Sequence, residues 1–347
     1  MERTKGKEPL SAQMKRKSEK PHEEKITEEG NFRTVISTGS TLLDLAISGG
    51  RVRGGGLPGG ILVEVFGPSG SGKTIFLSEV AGAVQRQGGE VRFDDPEARL
   101  DSPFAKMFGL TITKENYARP DTLKEVFEAV RAWKPKPEGV IHGSFADSLA
   151  AFTTEEEMDD NDAYGMRKGK EASKELRLTC REIAAKNYLM VCSNQIRDVI
   201  GATGNQERTK SPGGRAWEFY PSLRLRFSNV RKLDMELKVA GKEQKRIIGI
   251  RTDIFVYKSS IWKPFRTAPV TILFDYGIDD LRENIQYIKD NTLFTTYTLG
   301  GENLSNDMNK AIKIIEKGNL EQQLREEVIS LWEEIEDKFK QERKLKR

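Results

Sequence analysis

Gly67-Pro68-Ser69-Gly70-Ser71-Gly72-Lys73-Thr74 decides the fold class of this 347-residue chain. The octet fits GxxxxGK[ST]; an apolar run at 61–66 precedes it and an amphipathic stretch at 74–87 follows. Strand, glycine-rich turn and helix in that order form a phosphate-binding loop. Its glycines turn the backbone tightly and aim N–H groups at phosphate oxygens, Lys73 brings a mobile positive charge, and Thr74 offers a hydroxyl to Mg2+. The helix N-terminus adds its dipole. These properties point to ATP with Mg2+ as the cofactor. A plain glycine turn would need neither the lysine nor the hydroxyl.

Outward from the loop, strand and helix signals alternate. Residues 90–94 and 188–193 read as further strands, while Leu123, Val126, Phe127 and Val130, and later Leu176, Cys180, Ile183 and Ala184, recur at helical spacing. Such alternation predicts an α/β fold, a mostly parallel sheet with helices on both faces and ligands at the carboxyl ends of its strands. Beyond Pro221, strands follow one another at 223–227, 247–257 and 270–274, with a hairpin turn near Gly241, and extend the sheet antiparallel. After Gly277, helical spacing takes over, with Leu324, Val328, Leu331, Trp332, Ile335 and Phe339 on one face. The expected domains are a mobile basic and polar N-terminal arm at 1–33, a nucleotide-binding core at 34–277 and a small, mainly helical C-terminal domain with a basic tail at 278–347. The glycine-rich stretch from Ser48 to Gly56 reads as a flexible surface loop before the first central strand.

Bulk composition narrows the class. A hydrophobic fraction of 37% beside 32% charged residues suits a soluble protein, and no apolar run approaches the length of a membrane span. The net charge of +4 leaves any attraction for nucleic acid to local clusters, such as Lys15-Arg16-Lys17 and the basic run at 338–347. Composition favours a solvated tail for the first cluster, and the second reads equally as a solvated helix end. Cys180 and Cys192 lack metal-ligand spacing and read as reduced core residues of a cytoplasmic protein.

Hydrolysis needs more than a phosphate loop: a carboxylate to hold the metal and a polar group to orient water. Glu97, in Phe93-Asp94-Asp95-Pro96-Glu97 after the second strand, is a candidate general base or an exposed turn carboxylate; spacing alone does not separate the two. Asp147 ends the segment 140–148, a weak Walker B whose apolar run is broken by His142, Gly143 and Ser144; His142 reads as structural. The third strand closes on Asn194-Gln195-Ile196-Arg197, followed by a long polar loop at 198–212. Gln195 is placed to sense a γ-phosphate, and Arg197, Arg208, Lys210 and Arg215 to meet nucleic-acid phosphates, in a loop that flexibility alone would also explain.

Four blocks in this order resemble the RecA family of DNA recombinases. They are Ser37-Thr38-Gly39-Ser40 through Gly56-Leu57-Pro58, the GPSGSGKT octet, the FxDxExxLD stretch from Phe93 to Asp101, and Asn194-Gln195-Ile196-Arg197 with Gly213-Gly214 and Phe219-Tyr220. The resemblance covers residues 34–278. It implies a RecA-like core in which Glu97 activates water, with Lys73 and Gln195 as its catalytic companions. It further implies that Phe104 and Asp101 line the nucleotide with the octet, and that Thr74 and Asp147 hold the metal. The second DNA loop would then include Arg197, Ile200 as an apolar wedge, Arg208, Lys210, Gly213, Gly214 and Arg215. Expected partners are single-stranded DNA, homologous double-stranded DNA and further copies in a helical filament, with no membrane.

Four departures from the family pattern stand out. Lys258 matches the first of two lysines that contact phosphate across the subunit interface, but Ser260 replaces the second, with Lys263 nearby. Arg51-Val52-Arg53-Gly54 lengthens the glycine-rich stretch, and the arm lacks a clear docking helix. Residues 157–168, where a first DNA loop is expected, are acidic in their front half. The implied activity is ATP-dependent strand exchange by a DNA-dependent ATPase. Its rivals are a helicase or branch-migration ATPase on the same fold and a weakly hydrolysing DNA-binding accessory protein.

Overall fold

The computed structural model describes residues 32–151, 166–198, 209–210, 216–341 and 343. In chain order they form β1 (Val35–Ile36), α1 (Thr41–Ser48), β2 (Leu57–Pro58), β3 (Ile61–Gly67), α2 (Lys73–Arg86), β4 (Val91–Asp94), α3 (Ser102–Met107), β5 (Tyr117–Ala118), α4 (Leu123–Ala132) and β6 (Gly143–Ala146). Next come α5 (Met166–Ala185), β7 (Leu189–Gln195), β8 (Arg197–Asp198), β9 (Thr209–Lys210), α6 (Ala216–Phe219), β10 (Leu223–Val239), β11 (Lys242–Ser259), β12 (Thr267–Leu273) and β13 (Gly277–Ile278). The chain closes with α7 (Asp280–Asn291), β14 (Tyr297–Leu299), β15 (Glu302–Ser305), α8 (Met308–Gly318) and α9 (Glu321–Lys338).

Among the described residues the main sheet has nine strands in the order β13-β12-β11-β10-β3-β7-β6-β4-β5. Every junction from β10 to β5 is parallel, and β10 to β13 are joined antiparallel, as the α/β expectation with its antiparallel extension requires. Alternate residues of β3 serve opposite sides. Val63 and Val65 join a core with α1, α2 and the antiparallel strands, while Leu62 faces a second core with α4, α5 and Trp217. Such two-sided burial sets the near-continuous apolar character of central parallel strands.

Several elements differ from expectation, each for a physical reason. β10 and β11 run for 17 and 18 residues, far beyond the apolar runs at 223–227 and 247–257. Past Asn229 both faces of this hairpin are largely open to solvent, and Leu233, Met235, Leu237 and Val239 alternate with charged residues in a strand pattern that the reading from apolar runs stopped short of. Lys245 bridges Asp234 and Glu236 across the pair, and Ala240 and Gly241, both at positive φ, make its tight turn. The glycines at 54–56 are buried and not a flexible surface loop. A Cβ on Gly55 would lie 1.9 Å from the Asp44 carbonyl oxygen, so close backbone approach requires glycine there.

β6 is fully buried despite its mixed sequence. His142, just before it, has both ring nitrogens bonded, Nδ1 accepting the Glu90 N–H at 2.9 Å and Nε2–H donating to the Pro137 carbonyl at 2.8 Å, while the buried Ser144 hydroxyl has no protein partner. His142 is thus a structural residue. Beyond β13 the chain is not purely helical, because β14 and β15 form a hairpin turned by Gly300 and Gly301. Ile285, Leu299, Ile315 and Val328 from this region share one buried cluster with Leu43 of α1 and with Val65 and Ile254 of the sheet. No helix of the described residues is long and apolar enough to cross a membrane.

Candidate nucleotide and DNA site

The octet bridges β3 and α2 at the carboxyl edge of the parallel strands. Gly72 caps α2 in the left-handed region, φ 92°, with no side chain bonded to the first-turn amides. A Cβ there would also fall 2.3 Å from Ile272 Cδ1. Above the turn, the Cβ position of Gly70 meets nothing within 4 Å. Uncapped amides at a helix N-terminus beside open space suit an anionic ligand.

Lys73 is nearly buried, and its Nζ donates to the Gly67 carbonyl at 3.0 Å and the Pro68 carbonyl at 2.7 Å. Burial lowers its pKa, and the Asp147 carboxylate opposes that shift. Thr74 Oγ1 donates to Asp147 Oδ2 at 2.5 Å, and the Ser193 hydroxyl donates to the other carboxylate oxygen. Asp147 leaves the end of β6, its N–H bonded to the Asp94 carbonyl at 3.0 Å. Thr74 and Asp147 form an oxygen pair of the kind that holds Mg2+ together with phosphate oxygens, since Mg2+ takes few protein ligands. Among the described residues no cluster of three or more His, Cys, Asp or Glu side chains competes for that role. Asp94, beside Arg92 at 2.7 Å, is buried deeply enough that its carboxyl is pushed up to about 6.

The turn after β4 is shaped by Asp95, whose Oδ2 accepts the Leu100 N–H at 2.9 Å and the Tyr117 hydroxyl at 2.8 Å. Glu97 follows in that turn, paired with Arg99 at 2.9 Å, its side chain 23% exposed. Asp101 caps α3 by accepting the Phe104 N–H at 2.8 Å, and Phe104 packs edge-on against Phe108 with ring centroids 4.8 Å apart. Asp101 therefore has a helix-capping task within the chain that its spacing did not suggest.

β7 extends to Gln195, two residues past the apolar run read from sequence, and Gln195 lies in register with Gly67 of the octet. The segment beyond is therefore adjacent to the phosphate loop. β8 and β9 pair antiparallel, bringing Arg197 opposite Lys210 at the base of the long loop. Ile200, Arg208, Gly213, Gly214 and Arg215 lie outside the described residues, as do 157–165 of the expected first DNA loop. Past the loop, α6 is anchored by Trp217, which stacks on Phe127 at 6.3 Å.

Lys258 Nζ donates to the Glu218 carbonyl at 3.0 Å and the Phe219 carbonyl at 2.6 Å, so within the chain it ties down the end of α6. Burial lowers its pKa, and Arg224 pushes the same way. Ser260 is exposed, and Lys263 rests over the Trp262 ring at 5.6 Å. The inserted Arg51 donates to the Ile261 carbonyl at 3.0 Å, and Arg53 reaches Glu326 of α9 at 3.0 Å. Sequence reading passed over Ser193 and the buried Glu64 and Arg224. Only the hydroxyl beside Asn194 and the lone charges inside apolar strands marked them.

A family model described as the RecA N-terminal domain matches residues 18–279. The Protein RecA of Macrococcus caseolyticus is 34% identical over 248 residues, 71% of this chain and 65% of the relative. That of Thermus thermophilus is 33% identical over 252 residues, covering 72% and 69% of the two chains. For Thioalkalivibrio sulfidiphilus the identity is 32% over 304 residues, 84% of each chain. With the phosphate loop and Gln195 side by side at the head of a RecA-like sheet, and with these matches over most of its length, the chain belongs to the RecA family.

Proposed function

We propose that the chain is an ATP-dependent DNA recombinase that polymerises on single-stranded DNA, binds ATP between neighbouring copies, and pairs and exchanges strands with homologous duplex in the cytoplasm. The observation that carries the reading is the register of Gln195 with Gly67, which brings the end of β7 level with the phosphate loop just before the β8–β9 pair. In this reading Lys73 exchanges its carbonyl partners for a phosphate, and the α2 amides hold the anion. Thr74 and Asp147 hold Mg2+, which neutralises developing charge on the phosphates when bound. Phe104 and Asp101 border the base. Glu97 leaves Arg99 to accept a proton from water, and Gln195 bonds the γ-phosphate and orders the loop with Arg197, Ile200, Arg208, Lys210, Gly213, Gly214 and Arg215 along the strand. Lys258 reaches a neighbour's phosphate by leaving the α6 carbonyls.

The tether of Lys258 to those carbonyls, beside Ser260, also favours a second reading: a DNA-binding accessory protein that hydrolyses ATP weakly. Strand exchange between a single-stranded circle and a homologous linear duplex, with and without ATP, separates the two. The recombinase yields joint molecules only with nucleotide, and Glu97→Gln lowers its DNA-stimulated kcat by about 10²-fold or more. ATP-independent or absent exchange, with no stimulation of hydrolysis by single-stranded DNA, leaves the accessory reading in place.

A further inference from the structure

A buried polar chain crosses β7, β3 and β10, and no step above uses it. Asn194 Nδ2 donates to Glu64 Oε1 at 3.0 Å, and Arg224 Nε donates to Glu64 Oε2 at 2.6 Å. At one end, Asn194 Oδ1 accepts the N–H of Gln195 at 3.0 Å. At the other, the Arg224 guanidinium lies 4.7 Å from the Phe66 ring centroid and 5.2 Å from that of Tyr257, and the two rings meet edge-on at 5.5 Å. Tyr257 is the backbone neighbour of Lys258, and Arg224 itself lies in register with Lys258 across β10 and β11. Glu64 and Asn194 have no exposed surface, and Arg224 is 5% exposed.

Stability alone is a poor reason for such a chain. Removing two charges from water is costly, and apolar residues of equal volume often serve a fold as well or better. What the ion pair supplies is geometry: a bonded carboxylate between a guanidinium and an amide has far fewer arrangements than packed aliphatic chains. Its two ends are the residues proposed to touch the terminal phosphate, Gln195 within one copy and Lys258 toward the next.

We propose that Glu64 and Arg224 are positioning residues that hold Gln195 and Lys258 in a fixed relation, so that phosphate contact at either one is transmitted to the DNA loop between them. The inference rests on the recombinase reading. Gln195 opens that loop, and Lys258 ties the helix that follows it, so a rigid link between the two makes the loop respond as one unit. Without the link, nucleotide still binds, but its terminal phosphate no longer governs the grip on DNA.

The test is the affinity of the full chain for a fluorescent single-stranded oligonucleotide at fixed salt, with ATP and with ADP. In the unmodified protein the ATP-to-ADP affinity ratio is expected at about 10 to 100, the usual size of coupling between two sites. In the double variant Glu64→Gln with Arg224→Met, which removes both charges and keeps volume, the ratio falls toward one. Affinity for ATP stays within about twofold, and the melting temperature holds or rises. If the double variant does not fold, Glu64→Gln alone carries the same expectation for the ratio, with a lower melting temperature because Arg224 then lacks its carboxylate. A ratio unchanged in whichever variant folds overturns the proposal. A ratio near one in the unmodified protein instead overturns the recombinase reading itself, and the proposal with it.

Discussion

Gly72 shows how much one residue of the octet determines. Its φ of 92° turns the chain from strand into helix, and its missing Cβ leaves room for Ile272. Gly72→Ala is expected to destabilise the protein by about 1–2 kcal/mol through the left-handed backbone alone, and to weaken ATP binding by tilting the first-turn amides. Adding Ile272→Val removes the clashing methyl and restores part of the stability, while ATP binding stays impaired. Thermal melts and titration with a fluorescent nucleotide report both effects, and equal recovery of both would show that the clash and not the φ angle matters. Lys73, Thr74 and the octet glycines were legible in the sequence because their chemistry is local. Asp147 was legible only by spacing. Ser193, Glu64 and Arg224 were hidden, since what each touches depends on strand register and not on its neighbours in the chain.

Among the elements, α9 is held to the core by two arginines in different surroundings. Arg266 donates to Glu336 and lies over the Trp332 ring at 5.4 Å, with side chains only 18% and 25% exposed in the ion pair. Arg53, from the inserted turn, reaches Glu326, Glu333 and Ser330 but is 53% exposed. Arg266→Ala should cost about 1.5–3 kcal/mol, the range for hydrogen bonds to charged groups. Arg53→Ala should shift denaturation much less, and that shift should vanish at high salt, because solvent screens an exposed pair. Urea titrations at low and high salt compare the two. A larger loss for Arg53 would mean that the insert, and not β12, carries the attachment of α9. Periodicity revealed α9 but not its anchors, and β10 and β11 were read short because only their apolar, core-facing runs were counted, while the alternating residues 233–239 lie on an arm that packs on no core.

For the molecule as a whole, buried carboxylates set a pH dependence. Burial lifts Asp44 from an ordinary 3.8 to about 6 against its bonds from Ser37 and Thr38 and the Arg325 charge, and lifts Asp94 likewise to about 6. Below about pH 4 each is protonated folded or unfolded, and its contribution is fully present; as pH rises through about 6 the folded form must ionise in a dry site, and that contribution is lost. For Asp44 the loss amounts to about 3 kcal/mol between those limits. Asp44→Asn is therefore expected to flatten the fall in unfolding free energy between about pH 4 and pH 6, measured by urea denaturation. An unchanged slope would place the titration elsewhere. The sequence by itself determined the α/β class, the phosphate loop and the succession of helices and strands, because periodicity and turn chemistry act over a few residues. Only the tertiary structure decided that Gln195 stands level with Gly67, that Asp147 meets Thr74 and Ser193, and that glycines at 54–56 are packed and not loose. The first two join residues far apart in the chain through the register of the parallel sheet, and the glycines are packed by the approach of the α1 backbone.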